Sequence, residues 1–254
     1  MINVIPIRAF QDNYIWLMRD GRNAVVVDPG DAAPVLEYLR REGLQLAAIL
    51  NTHHHADHVG GNAELLRNYT VPVYGPSQES IASVSHPLSE GASVELPEFP
   101  ARFAVLDVPG HTAGHIAYYG ANSLFCGDTL FGCGCGHLFE GTAAQMFGSL
   151  QKLACLPDST MVYCAHEYTL SNIAFARTVD PDNRDLRERE ARDTAARAQG
   201  LPTLPSTLGL EKATNPFLRC DSPPVIAAAS RAAGRPLADP VQVFTALREW
   251  KNRF

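Results

Sequence analysis

The sequence predicts an α/β fold of the α+β kind: two β-sheets packed face to face with helices outside, followed by a helical carboxyl-terminal region. Two observations predict it. Ten short strand-like runs fill the chain up to residue 164 with only three helical patterns among them, and beyond residue 168 the strand-like runs stop and four helical patterns follow. Many short strands with few helices need a second sheet to cover their apolar faces, whereas a run of helices alone packs as a separate layer or domain.

Taken in order, the strands fall at 4–7, 15–18 and 24–27, the last ending in Asp28-Pro29-Gly30-Asp31, a turn that also caps a helix over 33–42. A strand at 47–50 precedes a histidine cluster, a helix follows at 62–67, and further strands fall at 71–74, 94–96, 101–106, 115–119 and 123–126. A helix at 143–154 and a strand at 160–164 close this region. The spacing then predicts helices over 171–179, 185–199, 222–233 and 239–253, separated by Pro-rich connections at 201–205 and 215–216. The boundary falls near residue 170, giving domains 1–170 and 171–254. The Ala-Arg-Glu stretch 186–198 reads as a solvated helix.

Length and composition set limits. With 254 residues, 46% of them hydrophobic, the chain suffices for one large domain or a domain with an appendage. A net charge of -6 provides no basic footprint for nucleic acid. No run approaches the ~20 apolar residues of a membrane span, and the first residues have neither the charged region nor the cleavage site of a secretory signal, so a cytoplasmic protein is expected. Its six cysteines are irregularly spaced, which favours reduced, mostly buried thiols; Cys133-Gly134-Cys135 lacks the spacing of a zinc or redox pair.

Chemistry concentrates in Thr52-His53-His54-His55-Ala56-Asp57-His58. An H-x-H-x-D-H spacing offers more imidazole and carboxylate donors than one tetrahedral ion with an open position can use, which argues for two metals. Three more donors follow short apolar runs: His111 in Pro109-Gly110-His111-Thr112, Asp128 in Cys126-Gly127-Asp128-Thr129, and His166 in Ala165-His166-Glu167-Tyr168. Each alone reads as structural; strand-to-loop junctions converging on one sheet edge make them a set.

These motifs, in this order, resemble the metallo-β-lactamase superfamily. Gly136-His137-Leu138-Phe139-Glu140, His166-Glu167-Tyr168-Thr169, Asn215-Pro216-Phe217-Leu218-Arg219 and the ending Arg248-Glu249-Trp250-Lys251 narrow the resemblance to the glyoxalase II, or hydroxyacylglutathione hydrolase, family. The resemblance implies a four-layer αββα sandwich with a helical glutathione-recognition domain. It assigns one metal to His53, His55 and His111, a second to Asp57, His58 and His166, and a bridge to Asp128. Asp57 and Asp128 are then catalytic, acting with a bridging hydroxide on S-(2-hydroxyacyl)glutathione, S-D-lactoylglutathione in particular, to give glutathione and D-lactate in methylglyoxal detoxification. Zinc is expected; iron and manganese accept the same donors. His137, Leu138, Phe139, Tyr168, Arg248 and Lys251 are implied in substrate binding, although relatives usually carry Arg or Lys at the place of His137 and many carry Tyr at that of Phe139. On sequence alone Arg248 and Lys251, at i and i+3, also read as surface charge complementing a helix dipole. The chain is expected to be a monomer without nucleic-acid or membrane partners. The rival readings are a lactonase or RNA-processing hydrolase, a persulfide dioxygenase with one iron, and a non-catalytic metal-binding protein.

Overall fold

The computed structural model describes residues 2–96 and 99–254, in two compact units: residues up to Asp107 with Ala113–Gly127, and Val108–Thr112 with Asp128–Phe254. In the first unit β1 (Asn3–Ala9), β2 (Asn13–Asp20) and β3 (Asn23–Val27) form an antiparallel meander. Helix α1 (Ala32–Glu42) is capped by the Asp31 side chain on Ala33 N and closed by Gly43 in the left-handed conformation. It returns the chain to β4 (Gln45–Leu50), parallel to β3. Helices α2 (Ala56–Val59) and α3 (Asn62–Asn68) precede β5 (Val73–Pro76) and β6 (His86–Leu88), which extend the sheet in parallel. Antiparallel strands β7 (Ser93–Leu96), β8 (Phe99–Asp107), β9 (Ile116–Gly120) and β10 (Ser123–Gly127) belong to a second sheet.

The first sheet is covered on both faces. Ile15, Leu17, Ala24, Val26 and Ile49 pack with Val35, Leu39 and Leu65 of the outer helices. The alternate positions Trp16, Met18, Val25, Val27, Ala48 and Leu50 are buried as well, as a sandwiched sheet requires. Tyr118 of β9 donates its hydroxyl to Asn51 O at 2.8 Å, and Ile116 N donates to Thr52 O at 2.9 Å, tying the second sheet to the end of β4.

In the second unit β11 (Leu130–Phe131) and β12 (Gly134–Cys135) form a small hairpin. Then come α4 (Ala143–Ala154), started by a Thr142/Gln145 capping box, and β13 (Met161–Cys164), α5 (Thr169–Val179) and α6 (Arg184–Ala198). β14 (Ser206–Thr207) pairs with β13, and α7 (Leu208–Thr214), a 3-10 turn at Pro216–Leu218, α8 (Pro223–Ala233) and α9 (Pro240–Asn252) complete the unit. No helix among the described residues is long and apolar enough to cross a membrane.

Every predicted strand and helix has a counterpart, and the departures have local causes. The strand expected at 71–74 lies at Val73–Pro76, with Pro72, which has no N–H, serving only as an acceptor for Ile49 N at 3.1 Å. The strands β6, β11, β12 and β14 and the helices α2 and α7 are too short to carry a period. The stretch 186–198 is not simply a solvated helix: Arg189 and Asp193, at i and i+4, are buried and pair at 3.2 Å. The further partner of Arg189, Glu211, is remote in sequence, so nothing local to the stretch announces it.

Candidate functional site

In the first unit the site is built at the carboxyl ends of β3 and β4. Their parallel register sets Val27 against Leu50, so Asp28 and Thr52 emerge side by side. Asp28 is buried and holds φ 52, a left-handed conformation that an Asp adopts at a cost. Its Oδ1 accepts from Thr52 N at 2.8 Å; its Oδ2 accepts from Thr52 Oγ1 at 2.7 Å and His58 Nδ1 at 3.0 Å. Since the single Thr52 hydroxyl proton goes to Asp28, Thr52 Oγ1 accepts from His53 Nδ1 at 3.0 Å. His53 and His58 are thereby fixed in the tautomer that leaves a lone pair on Nε2, the form a metal takes. His53 Nε2 lies 3.1 Å from His55 Nδ1, and His58 Nε2 lies 3.5 Å from Asp57 Oδ2. Asn13 holds Asp57 from the side, donating Nδ2 to Oδ2 at 3.0 Å. Gly127 closes this shell: with φ +47, any Cβ there would overlap Thr52 Oγ1.

The second unit brings together the other three donors. His111 Nδ1 donates to the His137 carbonyl at 2.9 Å, leaving its Nε2 lone pair 3.3 Å from Asp128 Oδ2. His166 Nε2 lies 3.4 Å from the same oxygen. One carboxylate oxygen thus lies within 3.4 Å of two imidazole nitrogens. His58 Nε2 and His111 Nε2 each present a lone pair to a carboxylate oxygen, and acceptor facing acceptor is repulsive unless a cation lies between. The donor set and its tautomers therefore fit metal ions.

His166 stacks flat on Tyr168, with centroids 4.7 Å apart at 5°. Tyr168 lines a cavity of about 320 Å³ together with Phe131, Cys135, His137, Arg248 and Lys251. Arg248 is only 3% exposed, so it is not the surface charge its place near a helix end suggests. It donates Nη1 to Cys135 O at 2.9 Å and Nε to Asn252 Oδ1 at 3.0 Å. Lys251 donates to Ser171 O at 3.2 Å. Burial and the neighbouring Arg248 pull the Lys251 pKa down, and burial, Arg248 and Lys251 pull that of His137 down. These shifts describe a pocket whose cations repel one another, which an anion would relieve. Leu138 and Phe139 do not line it. Phe139 is 67% exposed, stacked on His137 at 5.9 Å and edge-on to His111 at 5.2 Å.

Four residues near the donors are absent from the sequence-derived set: Asn13, Thr52, Glu79 and His115. His115 is buried and stacks on His53 with centroids 4.6 Å apart; its signal was the second histidine of Pro109-Gly110-His111-Thr112-Ala113-Gly114-His115. Glu79, with its side chain 3% exposed, accepts from or pairs with His54 Nδ1 at 2.8 Å. Asn13 stands in Asp12-Asn13-Tyr14, a segment the resemblance covers without giving it a role.

The fold and this His/Asp cluster define a hydrolase of the metallo-β-lactamase superfamily, and residues 9–166 match that superfamily's model. A solved structure of TTHA1623 in a di-iron-bound form superposes with a TM-score of 0.60 at 29% identity, covering 85% of this chain and 100% of that one. Residues 167–254 match the model described as hydroxyacylglutathione hydrolase C-terminus. Hydroxyacylglutathione hydrolase of Nitrosomonas europaea is 60% identical over 254 residues, 100% of this chain and 97% of the relative, and that of Vibrio cholerae is 53% identical over 256 residues, 100% of both. The chain belongs to the hydroxyacylglutathione hydrolase family.

Proposed function

We propose that the chain hydrolyses S-(2-hydroxyacyl)glutathione, S-D-lactoylglutathione in particular, to glutathione and the 2-hydroxy acid, as a monomer in the cytoplasm. The carrying observation is the stack of Tyr168, which lines the cationic pocket, on His166: it supports a reading in which a thiol carrier held in that pocket presents its sulfur end toward His166. In this reading His53, His55 and His111 would hold one ion and Asp57, His58 and His166 a second, with Asp128 available to both. Two divalent ions, zinc in the first instance, would supply hydroxide near neutral pH by lowering the pKa of water to about 7, and would polarise the thioester carbonyl.

The protein's own residues supply the rest. Asp28, through His58 and Thr52, keeps the ligand lone pairs on Nε2. Asn13 holds the Asp57 carboxylate in one orientation. Arg248 and Lys251 take a carboxylate of the carrier, while the Tyr168 and Phe131 rings bound its stem. The leaving thiolate, with a pKa near 8.5 for a simple thiol, departs without a protonating acid, so a site without one suits a thioester better than an amide. We assign metal hydrolysis to a domain 1–170 and carrier recognition to a domain 171–254, the second supplying Arg248 and Lys251 to a pocket whose Phe131, Cys135, His137 and Tyr168 belong to the first.

Purified protein with its metal content measured is assayed with S-D-lactoylglutathione, a lactone and a glutathione persulfide. Turnover of the thioester far above the other two is expected. Preferred lactone hydrolysis, or oxygen consumption with the persulfide, overturns the reading.

A further inference from the structure

The hairpin of β11 and β12 is two residues per strand, yet its turn is held by three buried side chains from remote elements. Asn172 Nδ2 donates to Gly132 O at 3.0 Å. Glu211 Oε2 accepts from Cys133 N at 2.8 Å. Asn215 Nδ2 donates to Gly134 O at 2.9 Å and reaches Phe131 O at 3.4 Å. Glu211 is itself pinned, its Oε1 accepting from Arg189 Nη2 at 2.7 Å and Ser206 Oγ at 2.6 Å. Arg189 donates onward to Thr214 Oγ1 at 2.7 Å and to Asp193 Oδ2 at 3.2 Å. A buried charged network of this kind is expensive to assemble, and hairpins form without one.

The turn it holds is strained. Cys133 has φ 57, the left-handed region, without being glycine. At Gly134 any Cβ would overlap the Asn172 amide, so the side chain and the turn are fitted to each other. Burial pushes the Cys133 thiol up to about 12, which keeps it neutral and leaves it no acid–base role. The hairpin's output is at its two ends. Phe131 stands edge-on to His166 at 5.8 Å and to Tyr168 at 5.3 Å. Cys135 offers its carbonyl to Arg248. Both residues line the 320 Å³ cavity, whereas Glu211 and Asn215 do not.

We propose that Glu211 and Asn215 are positioning residues for carrier binding: together with Asn172, which also lines the cavity, they lock the Phe131–Cys135 hairpin in its left-handed turn and so hold the Phe131 wall and the Arg248 anchor in their binding geometry. The proposal rests on the reading of this cavity as the glutathione pocket. An unlocked hairpin has to be ordered by the ligand, and that cost appears in binding.

The test uses the metal-loaded full chain carrying Asn215→Ala, with Glu211→Gln as the second variant. Glu211→Gln keeps an oxygen for Arg189 and Ser206 and leaves Arg189 its Asp193 partner, but turns an amide NH2 toward Cys133 N and so removes the acceptor that holds the turn; it serves where Asn215→Ala does not fold. Metal content, Tm, and kcat and KM are measured with S-D-lactoylglutathione and with the lactoyl thioester of 2-mercaptoethanol, which carries no glutathione. The expected result is a KM for the glutathione thioester raised by about five- to tenfold with kcat nearly constant, and kcat/KM for the small thioester and metal content nearly constant. Unchanged KM in folded variants, whatever their Tm, overturns the proposal. So does a parallel loss with both thioesters accompanied by metal loss, which is the signature of a general structural role. A wild type that does not distinguish the two thioesters refutes the pocket reading itself, a failure separable from that of the hairpin proposal.

Discussion

Replacing Asp28 by Asn changes no volume and keeps an oxygen for Thr52 N, yet it should strip the site of metal. With the amide oxygen kept toward Thr52 N, the NH2 group takes the place of Oδ2, which accepts from Thr52 Oγ1 at 2.7 Å and His58 Nδ1 at 3.0 Å. The new donor forces His58 to accept at Nδ1 and carry its proton on Nε2. Thr52 must then accept from the amide, and its hydroxyl proton turns toward His53 Nδ1, which lies 3.0 Å away. Two ligand imidazoles thus lose the lone pair that a metal uses. Losing the outer partner of one ligand costs about 10- to 100-fold in metal affinity, about 1.4–2.7 kcal/mol, so two ligands governed by one carboxylate imply a loss of about 100-fold or more. The hydrogen-bond count is conserved, and Tm of the metal-free protein should move little. Competition with a zinc chelator measures the affinity, and nitrogen NMR of the imidazoles reads the tautomers. Wild-type zinc affinity in Asp28→Asn, with His58 still protonated on Nδ1, would refute the tautomer argument.

Other outcomes follow from the same geometry. Asp128→Ala should abolish turnover and lower metal occupancy while the fold persists; two tightly held ions per chain by elemental analysis, with near-native activity, would remove it from the bridge. Arg248→Ala should raise KM for glutathione thioesters by about 10- to 100-fold, as expected for a buried charged hydrogen-bond donor, and Lys251→Ala by about fivefold or less because Lys251 is only partly buried; steady-state kinetics at constant metal content decide. His137 has a folded pKa below 6.5, so it is neutral through pH 7–8 and adds no titrating contact to KM there; its contribution to stability is fully present above pH 6.5 and is lost as pH falls through the lowered folded value. KM profiles of wild type and His137→Ala that diverge between pH 7 and 8 would contradict this. Arg189→Ala leaves Glu211 buried without its cation and should destabilise the protein by about 3–5 kcal/mol, seen as a lower Tm by calorimetry.

The longer elements were legible in the sequence, because the unbroken apolar run of β2, buried on both faces, and the 3.6-residue spacing of α9 follow directly from which faces are buried. The seven proposed donors stood out for a different reason: His53, His55, Asp57 and His58 within six residues, followed by His111, Asp128 and His166 each after an apolar run, form an unusual pattern. What supports them was not legible. Thr52, Asn13 and Glu79 are single polar residues whose partners Asp28, Asp57 and His54 lie 24, 44 and 25 positions away, and no local pattern encodes such a pairing. Arg189 misled in the same manner, since an arginine on a helix reads as solvated until the residues that surround it are known. Asp28 was half legible: its Asp-Pro-Gly turn is ordinary, and the parallel register of β3 and β4 is what turns it into the support of two histidines.

The cysteine distribution described by burial has a practical side. Cys126, Cys133, Cys135, Cys164 and Cys220 are buried and Cys155, at the carboxyl end of α4, is exposed. A folded chain therefore offers one thiol to a large alkylating reagent, and an unfolded chain offers six. Reagent consumed per chain becomes a direct count of unfolded molecules, independent of activity or metal. The same asymmetry makes Cys155 a single-point attachment for a dye or a surface. Replacing it by Ser would leave a protein whose remaining thiols react only as the structure opens.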